Sequence, residues 1–214
     1  MIPRQRLLVL ALVFTMALGL SLTLSVAVLP VYGLALAVLA CVAVPYLLHA
    51  HPDYGFSGVR LILPAALALA APSVAHELGA GPFRLIGVFG PGALLYGLIY
   101  AEYLLVQPQE DLAAQSARLL LTLSAYALAL GYYLLIYEVK ERTVISAPLI
   151  AAVSGALALR LLTLDRDGDL KTYLYAVAAG LSMAELLWPL NYWVMGVAAG
   201  GLLLLLAFYV LVGL

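Results

Sequence analysis

The chain consists largely of apolar runs, each about long enough to cross a lipid bilayer as a helix. Because a helix rises 1.5 Å per residue, about 20 apolar residues span the roughly 30 Å of hydrocarbon. About eight such runs are separated by short polar links, at residues 7–29, 31–49, 61–77, 84–106, 113–138, 144–164, 170–188 and 192–213. The sequence therefore predicts an all-α integral membrane protein, with residues 1–214 forming a single transmembrane domain, a polytopic bundle of about eight helices.

The composition excludes several other classes of protein. Hydrophobic residues make up 66% of the chain, charged residues make up 10%, and the mean hydropathy is +1.11. An ordinary soluble domain is roughly a quarter charged, so a soluble fold of this length could not bury so much apolar surface. The formal net charge of -1 offers no basic surface for nucleic acid. The single cysteine, Cys41, excludes intrachain disulfides and thiolate metal clusters.

Basic residues predict the orientation in the membrane. The first apolar run is far longer than the roughly 7–15 apolar residues of a signal peptide, so we expect it to be retained as a span. A cytoplasmic N-terminus puts seven of the ten Lys and Arg on the cytoplasmic side, as the positive-inside rule requires: Arg4, Arg6, Arg60, Arg118, Arg160, Arg166 and Lys171. We therefore expect a protein of the cell membrane with both termini in the cytoplasm.

Known catalytic and cofactor motifs are missing from the sequence. It contains no HExxH, no GxSxG and no P-loop. His49 and His51 follow the second span on one side of the membrane, whereas His76 ends the third span on the other side, so paired histidines at one depth are not available for a haem. The sequence therefore predicts no catalytic residue, no metal site and no cofactor.

The least repetitive chemistry lies between the last two runs, at residues 185–193. This stretch holds a carboxylate, an amide, a proline and both tryptophans of the chain. Tryptophan is enriched at membrane–water interfaces, so we expect a tight hairpin with Trp188 and Trp193 as interface anchors. Glu185 then lies about one helical turn inside the membrane.

Glu185 is the strongest candidate for a binding residue. An ionised carboxylate in the centre of the hydrocarbon costs about 2.5–3.5 kcal/mol, so it should face the bundle, an aqueous pocket or a partner. Ser182 and Ala178 lie on the same helix face and are small enough to leave room beside it. Asn191 and the outer end of the third span, His76-Glu77, fall on the same side of the membrane. We therefore expect an extracytoplasmic polar pocket formed by Glu185, Asn191, His76, Glu77 and Ser182, although a structural hydrogen bond would also explain Glu185.

Three functions are compatible with these features. The first is a small binding or transport protein that handles a polar solute, an ion or a lipid headgroup at the pocket. The second is a non-catalytic accessory or assembly subunit of a membrane complex, held in a homo- or hetero-oligomer through small-residue helix faces. The third is a lipid-active intramembrane enzyme that uses His76 and a carboxylate. The absence of catalytic motifs favours the non-enzymatic functions.

Periodicity and proline predict how some helices pack. Thr122, Tyr126, Tyr133 and Tyr137 form one helical stripe, which should face protein because buried tyrosines need a partner for the hydroxyl. The small residues of Ala176-xxx-Gly180-xxx-Ala184 allow close helix contact.

Proline and buried charge lead to two further expectations. Pro72 and Pro91 should kink or break the third and fourth spans, since proline removes a helix hydrogen bond. Arg160 should extend toward the headgroups, and Glu102 should do the same or pair with a nearby arginine.

Overall fold

A computed structural model describes residues 4–23, 28–48, 57–77, 83–106, 111–139, 143–164, 168–193 and 195–213. Within these ranges the long elements are eight α-helices, and no β-strand occurs. They are α1 (Arg4–Ser21), α2 (Leu29–Leu48), α3 (Ile62–Glu77), α4 (Arg84–Val106), α5 (Asp111–Val139), α6 (Thr143–Leu162), α7 (Leu170–Tyr192) and α8 (Val197–Gly213). The predicted all-α class and the number of helices are confirmed.

Five helical stretches are long and apolar enough to cross a membrane, a count that covers the described residues alone. They are Gly58–Glu77, Leu85–Leu105, Leu112–Glu138, Ile145–Leu162 and Leu170–Tyr192. Three more apolar helical stretches are shorter, at Gln5–Ser21, Leu29–Pro45 and Val197–Gly213. These lengths and compositions are compatible with a membrane protein.

Proline does not break the helices that contain it. α3 is continuous through Pro72, and α4 is continuous through Pro91. Proline removes one hydrogen bond of the ladder, while the bonds on either side of it still hold the helix together. Of the two predicted outcomes, a broken span is therefore wrong for both helices.

The last turn of α7 also differs from the expected hairpin. The predicted span ends at residue 188, but α7 continues through Pro189 to Tyr192. The carbonyl of Leu190 accepts a hydrogen bond from the Tyr137 hydroxyl at 3.1 Å and another from the Trp193 N–H at 3.2 Å. Because this terminal carbonyl is satisfied from both sides, the helix can extend a turn beyond the predicted end.

The chain divides into two compact units, Met1–Leu121 and Thr122–Leu214, with the boundary inside α5. In the first unit α1 packs on α4, and α3 packs on α2 and α4. Helices α2 and α3 approach closely at Gly33, where a methyl group would lie 2.5 Å from the carbonyl oxygen of Leu69.

The second unit is organised around the contact between α6 and α7. Gly180 of α7 lies against Ala151 and Gly155 of α6, close enough that a methyl group on Gly180 would be 2.5 Å from the Ala151 oxygen. The predicted small-residue face is therefore confirmed as a packing face at Gly180. On the other side of the unit, α8 packs on α5, with Gly200 against the ring of Tyr137 and Gly201 against Leu134.

Candidate functional site

A groove runs along the α6–α7 pair. The two helices are antiparallel, since Gly155 lies against Ala176 whereas Ala151, earlier in α6, lies against Gly180, later in α7. Its volume is about 700 Å³, and most of its walls are small apolar side chains: Ala147, Pro148, Ala151, Ala152, Gly155, Ala156 and Leu159 of α6 with Tyr173, Ala176, Val177, Leu181 and Ala184 of α7. Because the helices touch at two glycines and carry mainly alanine beside them, little side-chain volume is available to fill the groove.

The groove continues into a more polar section. This section, of about 530 Å³, shares Ala147, Leu181 and Ala184 with the apolar section and adds Glu185, Trp188 and Pro189. From Tyr173 to Pro189 the groove follows α7 for about 24 Å at 1.5 Å per residue. One continuous surface therefore combines an apolar length with a carboxylate and an indole at one end.

Glu185 is the one charged residue among the described groove-lining residues. Its side chain is exposed, so the carboxylate lies on the wall of an open groove rather than inside an enclosed pocket. It lies about 10 Å along the helix axis from the end of α7 at Tyr192. Trp188, one turn farther on, is 59% exposed on the same wall.

The other residues predicted on α7 lie near this end of the groove. Ser182 is half-buried one turn before Glu185, and Asn191 is half-buried near the end of the helix. Trp193, which follows α7, is 62% exposed. Exposed indoles at one helix end are the arrangement expected of interface anchors.

His76 and Glu77 belong to the first unit, as the last two residues of α3. His76 is half-buried and Glu77 is exposed. Their convergence with Glu185 stays a prediction, since Glu185 belongs to the second unit. His49 and His51 lie outside the described residues. Across the described ranges, no three His, Cys, Asp or Glu side chains are grouped closely enough to hold a metal ion.

The tyrosine stripe of α5 lies on a side of the second unit that is filled by large side chains, the sealed side. Tyr133 and Tyr137 are almost fully buried, which confirms that this part of the stripe faces protein. The Tyr133 hydroxyl and the Ser154 Oγ share a hydrogen bond of 2.8 Å. Tyr126 places its ring 5.9 Å from Phe208 and 5.7 Å from Tyr209, measured between ring centroids. This side is filled by large side chains and contrasts with the open groove.

Sequence reasoning missed the groove and misjudged Arg160. Arg160 is only 3% exposed, so it does not extend toward the headgroups. Glu102 is only 1% exposed, which removes the first of its two predicted outcomes and leaves its pairing with a nearby arginine as a prediction. Both interact with other groups of the protein. The signal for the groove was the run of small residues on one side of α6, at Ala147, Ala151, Ala152 and Ala156, since such a face packs closely or stays unfilled.

These features define a class, a helical protein with several apolar helices of membrane-spanning length and an open apolar groove. The chain belongs to DUF5656, a family of proteins of unknown function, whose family model matches residues 8–214. No curated protein and no solved structure matches the chain.

Proposed function

We propose that this protein is an integral membrane protein that binds an amphiphile, a molecule with an apolar tail and a polar headgroup, in the α6–α7 groove. The tail lies along the alanine-lined section, and the headgroup lies at Glu185 and Trp188. The observation that carries the proposal is the shared lining of the two sections, because it joins an apolar length to a charged end on one surface.

The membrane setting rests on five helical stretches of spanning length and on the distribution of basic residues. All eight helices cross or enter the cell membrane, and both termini are cytoplasmic. Glu185, Trp188 and Trp193 then lie toward the extracytoplasmic surface. The groove opens toward lipid, which is the source of its ligand.

Groove length supports binding of an acyl-type tail. The section from Tyr173 to Ala184 covers about 17 Å of helix, close to half of the roughly 30 Å hydrocarbon thickness. Its walls are apolar along this length. A single extended tail would fill the space beside the small side chains of the groove. Because lipid is as apolar as these walls, close van der Waals packing of the tail against them is what favours binding.

Photo-crosslinking tests this function. The purified protein in detergent is irradiated with a single-tailed amphiphile that carries a diazirine in its tail, and the modified peptides are identified by mass spectrometry. We expect labelling of α6 and α7 that saturates and is competed by the same amphiphile without the diazirine. Ala184→Leu, which fills the junction of the two sections, should reduce this labelling at least about tenfold, the effect of roughly 1.4 kcal/mol.

Ala178→Leu is the matched control, since Ala178 is an exposed alanine of α7 outside the lining residues. It should leave the labelling unchanged. Non-saturable labelling spread over all exposed helix faces, or equal labelling of both variants, would overturn the proposal.

The orientation has a separate test. In a Cys41→Ser background, Glu138→Cys and Lys171→Cys place single thiols at exposed positions at the end of α5 and the start of α7. A membrane-impermeant maleimide should label the first thiol in intact cells and the second only after permeabilisation. The reverse pattern would contradict the proposed topology.

A further inference from the structure

We infer, resting on the proposed function, that the bound amphiphile carries a cationic headgroup, of the ammonium class, held by the Glu185 carboxylate and the Trp188 indole. Both residues line the same end of the groove and are exposed to it. The headgroup class follows from charge, depth and aromatic chemistry at this end.

Charge is the first argument. Glu185 lies inside the spanning stretch Leu170–Tyr192, about 10 Å from its end. An exposed carboxylate at this depth is costly unless it has a partner of opposite charge. A cationic headgroup supplies that charge, whereas an anionic headgroup would be repelled.

The placement of the basic residues also favours a positively charged headgroup. Within the described parts of α6 and α7, the two basic side chains are Arg160 and Lys171, both near the opposite end of the groove. Arg160 is also buried. The described lining near Glu185 therefore complements a cation and holds no basic side chain to pair with an anion.

Trp188 adds the second contact. An ammonium group within about 6 Å of an indole face is attracted by the ring, and tryptophan is the strongest side chain of this kind. Trp188 keeps 59% of its surface exposed beside Glu185, so its ring is available to a ligand. A carboxylate and an exposed indole on one wall together recognise a quaternary or primary ammonium.

The experiment compares three photoactivatable probes with one shared diazirine tail. Their headgroups are trimethylammonium, neutral glycerol and sulfate. With the unmodified protein, the trimethylammonium probe should reach half-maximal groove labelling at a concentration about fivefold to tenfold lower than the glycerol probe. The sulfate probe should label most weakly.

Variants connect the preference to the two side chains. Glu185→Gln should remove the preference for trimethylammonium, while Glu138→Gln, an exposed carboxylate of the same unit outside the lining residues, should keep it. Trp188→Leu should reduce the preference about threefold, and Trp188→Phe should retain part of it because a phenyl ring still attracts a cation. Trp193→Leu should have no effect.

Two failures can be told apart. If all three probes label the groove saturably and equally, or if Glu185→Gln leaves the preference intact, the cationic headgroup is wrong and the amphiphile site remains. If none of the probes labels the groove saturably, the proposed function itself fails.

Discussion

The α6–α7 pair is packed differently on its two sides. On the side toward α5, Ile150, Ser154 and Leu157 of α6 are fully or almost fully buried, and Tyr133 seals the contact by its hydrogen bond to Ser154. On the groove side, the lining residues Pro148 and Ala152 are exposed. Large side chains fill one side, whereas small ones leave the other unfilled.

Under the proposed function, this difference predicts which surface binds the ligand. A helix in a bilayer gains little from burying apolar side chains, since lipid is equally apolar, so close packing and hydrogen bonds hold the helices together. The sealed side has the hydrogen bond between Tyr133 and Ser154, and the contact between α6 and α7 is closely packed at Gly180. The described lining of the groove comes from α6 and α7 alone, and Glu185 places a charge on its wall. Stability should therefore depend on the sealed contacts and ligand binding on the open ones.

The largest expected effect comes from forcing the two helices apart. Gly180→Ala would place a methyl group 2.5 Å from the Ala151 oxygen and 3.1 Å from the backbone of Gly155. Neither backbone can move aside without shifting α6, so we expect a destabilisation of about 1–3 kcal/mol. The free energy of unfolding in mixed detergent–SDS micelles measures it.

Gly131→Ala is the control for Gly180→Ala, because a methyl group on Gly131 meets no atom within 4 Å. Alanine favours the helix over glycine, so this variant should be stabilised by about 0.5–1 kcal/mol. If both variants changed stability in the same direction, the close approach at Gly180 would not be what holds α6 against α7.

A smaller loss is expected from the buried hydrogen bond. Tyr133→Phe removes the hydroxyl that pairs with Ser154 while keeping the ring against Phe208, at 6.2 Å between centroids. We expect a loss of about 1 kcal/mol in the unfolding free energy. Tyr209→Phe alters a tyrosine that is 56% exposed and should change stability by less than about 0.5 kcal/mol. A double-mutant cycle with Ser154→Ala that gave no coupling would contradict the pairing.

Filling the groove should leave stability almost unchanged. Ala184 is half-buried at the junction of the apolar and polar sections, so leucine can extend into unfilled space. We expect Ala184→Leu to lie within about 0.5 kcal/mol of the unmodified protein in the same unfolding assay. A loss of several kcal/mol would mean that the groove side is packed after all and that the two sides of the pair do not differ.

The smallest effect is expected at the start of α7, outside the spanning stretch. Hydrogen bonds from the Thr172 side chain and then from its backbone N–H lower the pKa of the Asp169 carboxyl below its ordinary value. The ionised form is therefore favoured in the folded state, and this contribution is present above the unfolded pKa and is lost as pH falls through the lower folded pKa. Helicity at the start of α7, followed by NMR, should decrease below about pH 4.

Asp169→Asn is the control for the pH effect, since its amide oxygen can still cap the helix but does not titrate in this range. This variant should show no acid-dependent fraying at Thr172. Equal fraying in both proteins would assign the pH dependence to another group.

Much of the helical architecture could be predicted from hydropathy alone. The apolar runs gave the number of helices, and the stripe on α5 gave the buried face that contains Tyr133 and Tyr137. The end of α7 could not be predicted, because the Leu190 carbonyl is satisfied by Tyr137, a residue 53 positions earlier in the chain. Pro189 lies inside the last turn of α7, and the hydroxyl that donates to the Leu190 carbonyl comes from another helix.

The candidate site was predicted only in part. Glu185 and Trp188 stand out in the sequence because a carboxylate and an indole are rare within apolar runs. Whether Glu185 and Trp188 lie beside Ala147 of α6 depends on where α6 and α7 cross. Gly155, which lies at this crossing, carries no distinctive signal in the sequence. Arg160 was misjudged for a similar reason, since burial of an arginine depends on partners from elsewhere in the chain.

The amino-acid sequence by itself determined which segments are helical and apolar, because these properties depend on residues close together in the chain. The tertiary structure alone decided which face of each helix is covered and which is open. The reason is that the rotation and crossing point of a helix pair are set by contacts between distant residues, here Gly180 with Ala151 and Gly155, and these contacts leave the groove beside them.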